Sequence, residues 1–111
     1  MFPYGYSRQH VSNHNTLNSI SKDITDAIYS VHRMRFVYGT IWEVIYPASG
    51  SSADWAYDIA NIPCSFAPEL RDRGQYGFLL PENQIKPVAE EMWEAYKAWG
   101  DRVLAGDCDS K

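Results

Sequence analysis

Glu69 is the carboxylate best placed to do chemistry. It stands near the carboxyl end of an apolar, alternating run, Cys64 to Arg71. Open α/β sheets present their ligands at such strand ends, and a carboxylate held there can act as a general base. The plainer role is a glutamate on the wet face of an edge strand, and periodicity alone favours it. Tyr46 closes a strand-like run just before Ala48-Ser49-Gly50-Ser51-Ser52, so its ring has room to swing. Arg71 and Asp72 are neighbours that can simply pair. His10 and His14 are spaced i, i+4, which on a helix would aim both rings at one metal ion. They lie in a polar stretch beside Asn13 with no third ligand, so a solvated loop is the simpler reading. His32 falls at a helix end among arginines, a surface site that the helix dipole favours. Ser49 has no G-x-S-x-G around it, and no HExxH, H-x-x-E or Cys-x-x-Cys occurs. The small residues at 48–52 lack the lysine of a phosphate loop and read as a turn before a helix cap.

These side chains need elements to hold them. Leu17, Ile20, Ile24, Ala27, Ile28 and Val31 recur at spacings of three and four and predict a helix over 16–34, capped by Asn15 or Thr16. The β-branched and aromatic run after Phe36, broken at Gly39, predicts a strand near 41–45. Ser51 or Ser52 caps a short helix that Pro63 terminates. Residues 64–71 alternate as a strand does, except that Pro68 has no N–H and belongs at an edge, a bulge or a gap. A loop follows over 72–81. Asn83 then caps a long helix whose apolar stripe runs from Ile85 through Val88, Met92, Trp93, Tyr96 and Trp99 to Val103. Pro87 falls in its first turn, where a missing donor costs nothing. The tail, 105–111, is expected to fray. Strands alternating with helices predict an α/β fold, yet two short strands make a thin sheet for two broad helix faces.

Composition narrows the function classes. The chain has 111 residues, 45% of them hydrophobic and 14% aromatic, so it needs a buried core. Its formal charge is −4, with no basic stripe, which argues against nucleic acid and anionic membranes as partners. No apolar run is long enough to span a bilayer. Cys64 and Cys108 could pair with each other, pair elsewhere or stay free. Met1 to Tyr6 has neither the basic nor the apolar region of a signal peptide. It reads instead like the end of a buried strand or a tight aromatic turn.

Longer strings carry a resemblance. Ile45-Tyr46-Pro47-Ala48-Ser49-Gly50-Ser51-Ser52-Ala53-Asp54-Trp55-Ala56-Tyr57-Asp58 resembles the mobile tyrosine loop and following helix of zinc carboxypeptidases of the A/B family. Glu69-Leu70-Arg71-Asp72 and Tyr76-Gly77-Phe78-Leu79-Leu80-Pro81 resemble the family's catalytic-glutamate strand and the loop after it. Gln84-Ile85-Lys86-Pro87 and Glu91-Met92-Trp93 resemble its last helix, and Pro3-Tyr4-Gly5-Tyr6 its turn after the last zinc-ligand histidine. The likeness runs in order from residue 1 to about residue 99.

The resemblance implies that residues 1–111 are the C-terminal portion of a single mixed-sheet catalytic domain, α/β in class, with helices packed on the sheet. It implies a zinc metallocarboxypeptidase that removes C-terminal residues from peptides and proteins by activating water. Glu69 matches the general base and Tyr46 the tyrosine that closes over the substrate. Gly5, Ile41, Ala53 and Ala67 match the specificity pocket, and Phe78 a wall nearer the scissile bond. Ala53 stands at the pocket floor, where a B-like enzyme has aspartate, so an A-like preference for apolar or aromatic ends is implied, with Asp54 beside the floor rather than on it. Arg71–Asp72 matches a cis peptide. The zinc ligands match nothing in this chain: the family's H-x-x-E pair and second histidine would precede Met1, as would the arginine and asparagine that grip the substrate's carboxylate. The expectation is therefore a piece of a longer, secreted enzyme with an N-terminal propeptide, inactive alone. The alternative is a non-catalytic remnant or interaction protein derived from a carboxypeptidase. Two positions depart from the family pattern, Pro68 directly before Glu69 and Cys64 where an aromatic residue is usual.

Overall fold

A computed structural model describes all residues from 1 to 111. In chain order it contains α1 (His14–His32), α2 (Ile41–Val44), α3 (Ser52–Asp58), a 3₁₀ turn (Glu82–Gln84) and α4 (Ile85–Leu104). α1 and α4 pack together through their apolar stripes. α1 buries Leu17, Ile20 and Ile28, and α4 buries Ala95 and, within the same stripe, the carboxylate of Glu91. The core centres on Phe2, Val11, Leu17, Ile20, Tyr57 and Cys64. Phe2 is fully buried. Its ring stands edge-on to His14 at 5.4 Å and to Phe66 at 6.3 Å, and Phe66 in turn stands edge-on to Trp99 at 5.4 Å. These edge-to-face contacts link the first residues of the chain to the last helix, a geometry aromatic quadrupoles favour.

α1 begins two residues before the predicted start and ends two residues early. Asn13 precedes it without a side-chain cap. Its amide is used for tertiary bonds instead, donating to the Pro63 carbonyl at 3.0 Å and accepting from the Tyr57 hydroxyl at 2.7 Å. Arg33 ends the helix in the left-handed region at φ 58°. Ser51 caps α3 as expected, its hydroxyl accepting from Ala53 N at 3.2 Å. α4 is preceded by the 3₁₀ turn, so Asn83 lies inside that turn rather than acting as a cap.

The predicted strands do not form. Residues 41–44 are the helix α2, because Thr40 caps it by accepting from Glu43 N at 3.2 Å, and a Thr three residues before a Glu is a helix-start signal. Residues 65–70 run without helix, turn or bend, but they have one backbone partner only. Met1 and Ala67 exchange both backbone hydrogen bonds, at 2.9 and 2.8 Å. On the other side of the same segment, Phe2 bridges Thr40 in parallel. A ladder needs consecutive pairs, and these two pairings are isolated. The mixed sheet expected of the domain is thus not present in this chain.

The tail does not fray. Cys108 is disulfide-bonded to Cys64, Asp107 pairs with Arg102, and Lys111 places its ammonium over the Tyr57 ring at 4.2 Å. Chain ends fray unless tied down, and these tertiary bonds tie this one down.

Candidate functional site

Gly5 sits where chain segments cross closely. A Cβ at this position would lie 2.7 Å from the Ala48 carbonyl and 2.9 Å from Ile41 Cγ2, so only glycine fits. Ala48 N donates to Gly5 O at 2.8 Å, and Trp42 N donates to Tyr4 O at 3.0 Å. The Pro3–Tyr4 peptide that leads into this turn is cis. Asp54, 6% exposed, fixes the turn from α3. Its carboxylate accepts from Gly5 N at 3.0 and 3.1 Å and from Tyr6 N at 3.1 Å. Gly5 and Ile41 are thereby in contact, and Ala53 is buried one residue before the aspartate that holds Gly5.

Around this turn, Asp58 accepts from the Tyr4 hydroxyl at 2.7 Å and the Tyr6 hydroxyl at 2.9 Å. Burial and the bond to Asp58 raise the Tyr4 phenol well above its usual range. The same bond raises Tyr6. Both groups stay neutral donors at any physiological pH.

Tyr46 is 65% exposed, its ring free beside the 48–52 turn. Phe78 is fully exposed. The loop that carries it is shaped by Asp72, whose carboxylate accepts from Gly74 N at 2.6 Å and Tyr76 N at 3.3 Å. Asp72 therefore does not pair with Arg71. Arg71 reaches α4 instead and grips Glu91 through Nε at 3.1 Å and through Nη2. The Arg71–Asp72 peptide is cis. Glu69 is exposed and borders an open cavity of about 790 Å³ between α1, α4 and the segments near residues 34–38 and 68–72. The structure thus joins Gly5 with Ile41, and Ala53 is buried next in sequence to the aspartate that holds Gly5. Ala67 pairs with Met1, while Tyr46 and Phe78 stand free of the core.

Zinc does not fit the residues present. The His10 and His14 rings stack at 3.7 Å with planes 4° apart. Imidazole lone pairs lie in the ring plane, so two parallel stacked rings do not converge on one ion. His10 Nε2 is engaged with Glu43 at 3.1 Å. No three His, Cys, Asp or Glu side chains cluster as a metal would require. The solvated-loop reading fails for His14 in particular. It opens α1, and its Nδ1 is buried without a partner. Desolvation, and next the neighbouring His10, lower its pKa. His32 lies 3.5 Å from Glu90 on the surface.

The sequence names two carboxylates, Glu91 and Asp54, without showing what they bind. Glu91 was legible as a charge inside an apolar stripe, between Val88 and Ala95, which calls for a buried cation. Asp54 had no comparable signal, because its partners are backbone N–H groups far away in sequence.

With fold and site described, the class is defined by comparison. The chain belongs to the zinc carboxypeptidase family, which it matches over residues 1–95. It is 47% identical to human carboxypeptidase A5 over 104 residues, covering 94% of this chain and 24% of that protein. It is 48% identical to human mast cell carboxypeptidase A over 104 residues, covering 94% of this chain and 25% of that protein. Among solved structures it resembles bovine thrombin-activatable fibrinolysis inhibitor in complex with tick carboxypeptidase inhibitor. The TM-score is 0.92 at 39% identity, covering 96% of this chain and 36% of that one. The chain spans about a quarter of the length of the curated relatives it matches.

Proposed function

We propose that this chain supplies the substrate-facing C-terminal part of a secreted metallocarboxypeptidase that removes apolar or aromatic residues from peptide C-termini. Glu69 takes a proton from the attacking water and returns it to the leaving amine. Tyr46, exposed at the surface, closes over the substrate's last residue. Gly5, Ile41, Ala53 and Ala67 line the pocket for that residue, and Phe78 flanks the scissile bond. No three His, Cys, Asp or Glu side chains here cluster as a metal would require, which supports reading the chain as inactive alone. The Cys64–Cys108 disulfide supports an oxidising compartment.

The observation that carries the apolar preference is the state of Asp54. It directly follows Ala53, and backbone N–H groups of Gly5 and Tyr6 engage it. A cationic substrate side chain next to Ala53 would have to compete with those N–H groups for Asp54, and burying a poorly paired charge costs several kcal/mol. The experiment is to join residues 1–111 to the preceding part of human carboxypeptidase A5 and compare kcat/KM for C-terminal Phe, Leu, Arg and Lys. Phe and Leu are expected to lead. Ala53→Asp in the same protein should move preference toward Arg by about tenfold or more, near 1.4 kcal/mol. Faster turnover of Arg or Lys before that substitution would overturn the assignment.

A further inference from the structure

Cys64, Phe66 and Arg71 fasten one segment to α4 and its tail. Cys64 is cross-linked to Cys108. Phe66 stands edge-on to Trp99 at 5.4 Å. Arg71 holds Glu91 through Nε and Nη2. As the residue number rises from Cys64 to Arg71, the partner's falls from Cys108 through Trp99 to Glu91. The segment therefore lies antiparallel to the last helix. The lengths agree. Phe66 to Arg71 covers about 16 Å of extended chain, and Glu91 to Trp99 about 12 Å of helix, a difference that the long Arg71 side chain can span. Cys108 is itself a fixed point. Gly106 N donates to Val103 O at 3.0 Å and Asp107 N to Arg102 O at 3.1 Å. The Asp107 carboxylate accepts from Arg102 Nε at 2.5 Å, and Arg102 Nη1 also bonds Ser19 and Asp23 of α1. The cross-link thus ties the head of the segment to both long helices.

Glu69 lies between the Phe66 and Arg71 anchors and is exposed, so its place comes from the segment rather than from packing of its own side chain. That place is set in discrete steps. A slip of one residue moves an extended chain by about 3.3 Å and turns every side chain to the opposite face. Pro68, next to Glu69, has no N–H with which the backbone could hold the register. We propose that Cys64 and Cys108 are positioning residues: their bond locks the register of residues 64–71 along α4 and so sets where Glu69 stands. The proposal rests on the reading of Glu69 as the general base. Its effect belongs in kcat. A misplacement of about 1 Å can cost on the order of a hundredfold in rate. Gly5, Ile41 and Ala53 stand on other segments, and Asp54 fixes Gly5, so binding of the substrate's last residue is largely untouched. Ala67 is the pocket residue that shares the clamped segment.

The first test uses the intact chain. In the oxidised protein, backbone amides from Ser65 to Arg71 should show NMR order parameters of about 0.85, as in α4. Cys108→Ala changes only the tail, yet should lower them to about 0.6 or less at Ser65, Phe66 and Ala67 and remove the nuclear Overhauser contact between the Phe66 and Trp99 rings. Arg102→Ala weakens the tail's ion pairs but leaves the cross-link, and should do neither. A mobile segment in the oxidised chain, or an ordered one in Cys108→Ala, would overturn the clamp. The second test uses residues 1–111 joined to the preceding part of human carboxypeptidase A5. Cys108→Ala should lower kcat for a C-terminal Phe by about tenfold or more, with KM within about threefold. Cys64→Ala and the double variant should lose as much and no more, because each breaks the same bond. Arg102→Ala should keep its kcat. A loss that falls on KM, that adds between the two cysteines or that Arg102→Ala shares would reduce the bond to a brace and overturn the role. NMR reads the segment without hydrolysis. A segment released by Cys108→Ala in an otherwise inactive joined protein would leave the clamp standing and remove the peptidase reading. An active joined protein whose kcat survives Cys108→Ala would do the reverse.

Discussion

Arg71 holds Glu91 through two guanidinium nitrogens, and Glu91 is 1% exposed. The pair ties the residue two positions beyond Glu69 to the buried face of α4. The partner raises the Arg71 pKa, so the guanidinium stays charged. Removing one member leaves the other charge buried alone, which costs about 3–5 kcal/mol. Arg71→Met is expected to lower unfolding free energy by about that much in urea titrations. Arg71→Met combined with Glu91→Met should recover much of the loss, because no lone charge remains. A double variant as unstable as the single one would show that the pair acts through shape rather than charge.

The disulfide between Cys64 and Cys108 spans a sequence separation of 44 residues. Loop-closure entropy assigns such a cross-link about 4 kcal/mol. Reduction should therefore cost a large part of the stability and release residues 105–111, including the contact of Lys111 with Tyr57. Thermal unfolding with and without reductant measures the first effect. Exchange at Asp107 to Lys111 measures the second. An unchanged midpoint after complete reduction would contradict the expectation.

His14 gives the fold an acid-sensitive point. Its pKa is lowered first by burial and then by His10, with Glu43 acting in the opposite direction. In the unfolded chain it titrates near 6.5. Below that pH the unfolded state takes up a proton that the folded state resists, so stability falls as the pH drops. Above it, both states are neutral and the effect vanishes. The thermal midpoint should decline between pH 7.5 and 5.5, and His14→Gln should flatten that decline. Equal slopes in the two proteins would place the acid sensitivity elsewhere. Glu43 is also lowered, first through its bond to His10, and adds to acid sensitivity at lower pH.

Gly5→Ala tests a tight crossing of chain segments. The added methyl meets a backbone carbonyl of residue 48 and the β-branched side chain of Ile41. Neither can yield by a simple side-chain rotation. Overpacking of this kind costs about 1–3 kcal/mol and should also disturb the Asp54 bonds to Gly5 and Tyr6. Denaturant unfolding reads the first effect and exchange at Gly5 and Tyr6 the second. A wild-type midpoint would mean that the 48–50 turn shifts freely.

The helices were legible because their signals are local. The stripes of α1 and α4 repeat at the helical period, and Ser51 caps α3 from its own neighbourhood. The run at 41–45 reads as a strand on β-branched and aromatic content, whereas the Thr40 side chain, accepting from Glu43 N, starts a helix there. Residues 64–71 alternate as a strand does, but a strand needs a neighbour, and only Met1 pairs with them. Of the site, motif likeness marks the residues, but it does not show what holds them: Gly5 meets Ile41, and the bonds that fix Gly5 come from Asp54, whose partners lie 48 and 49 positions away. Single-residue spacing carries no trace of a bond at that range.

The 111-residue chain alone is expected neither to bind zinc tightly nor to hydrolyse peptides. A catalytic zinc needs about three protein ligands in fixed geometry. The nearest thing to a ligand pair here is His10 with His14, and its rings lie in parallel planes. To chelate, the rings would have to unstack and His10 would have to leave Glu43. His14 would also have to turn, and its ring packs against the fully buried Phe2. Each of those moves gives up a contact before any metal bond forms. Even then Glu43 would be the sole third donor, and it extends from a helix of four residues anchored by its cap. Calorimetric zinc titration of the purified chain, run beside a carboxypeptidase assay, decides the matter. Weak binding, removed by His10→Gln and unaccompanied by turnover, is the expected result. Stoichiometric submicromolar binding, or zinc-dependent release of a C-terminal Phe or Leu, would show that these side chains rearrange into a metal site that their present stacking denies.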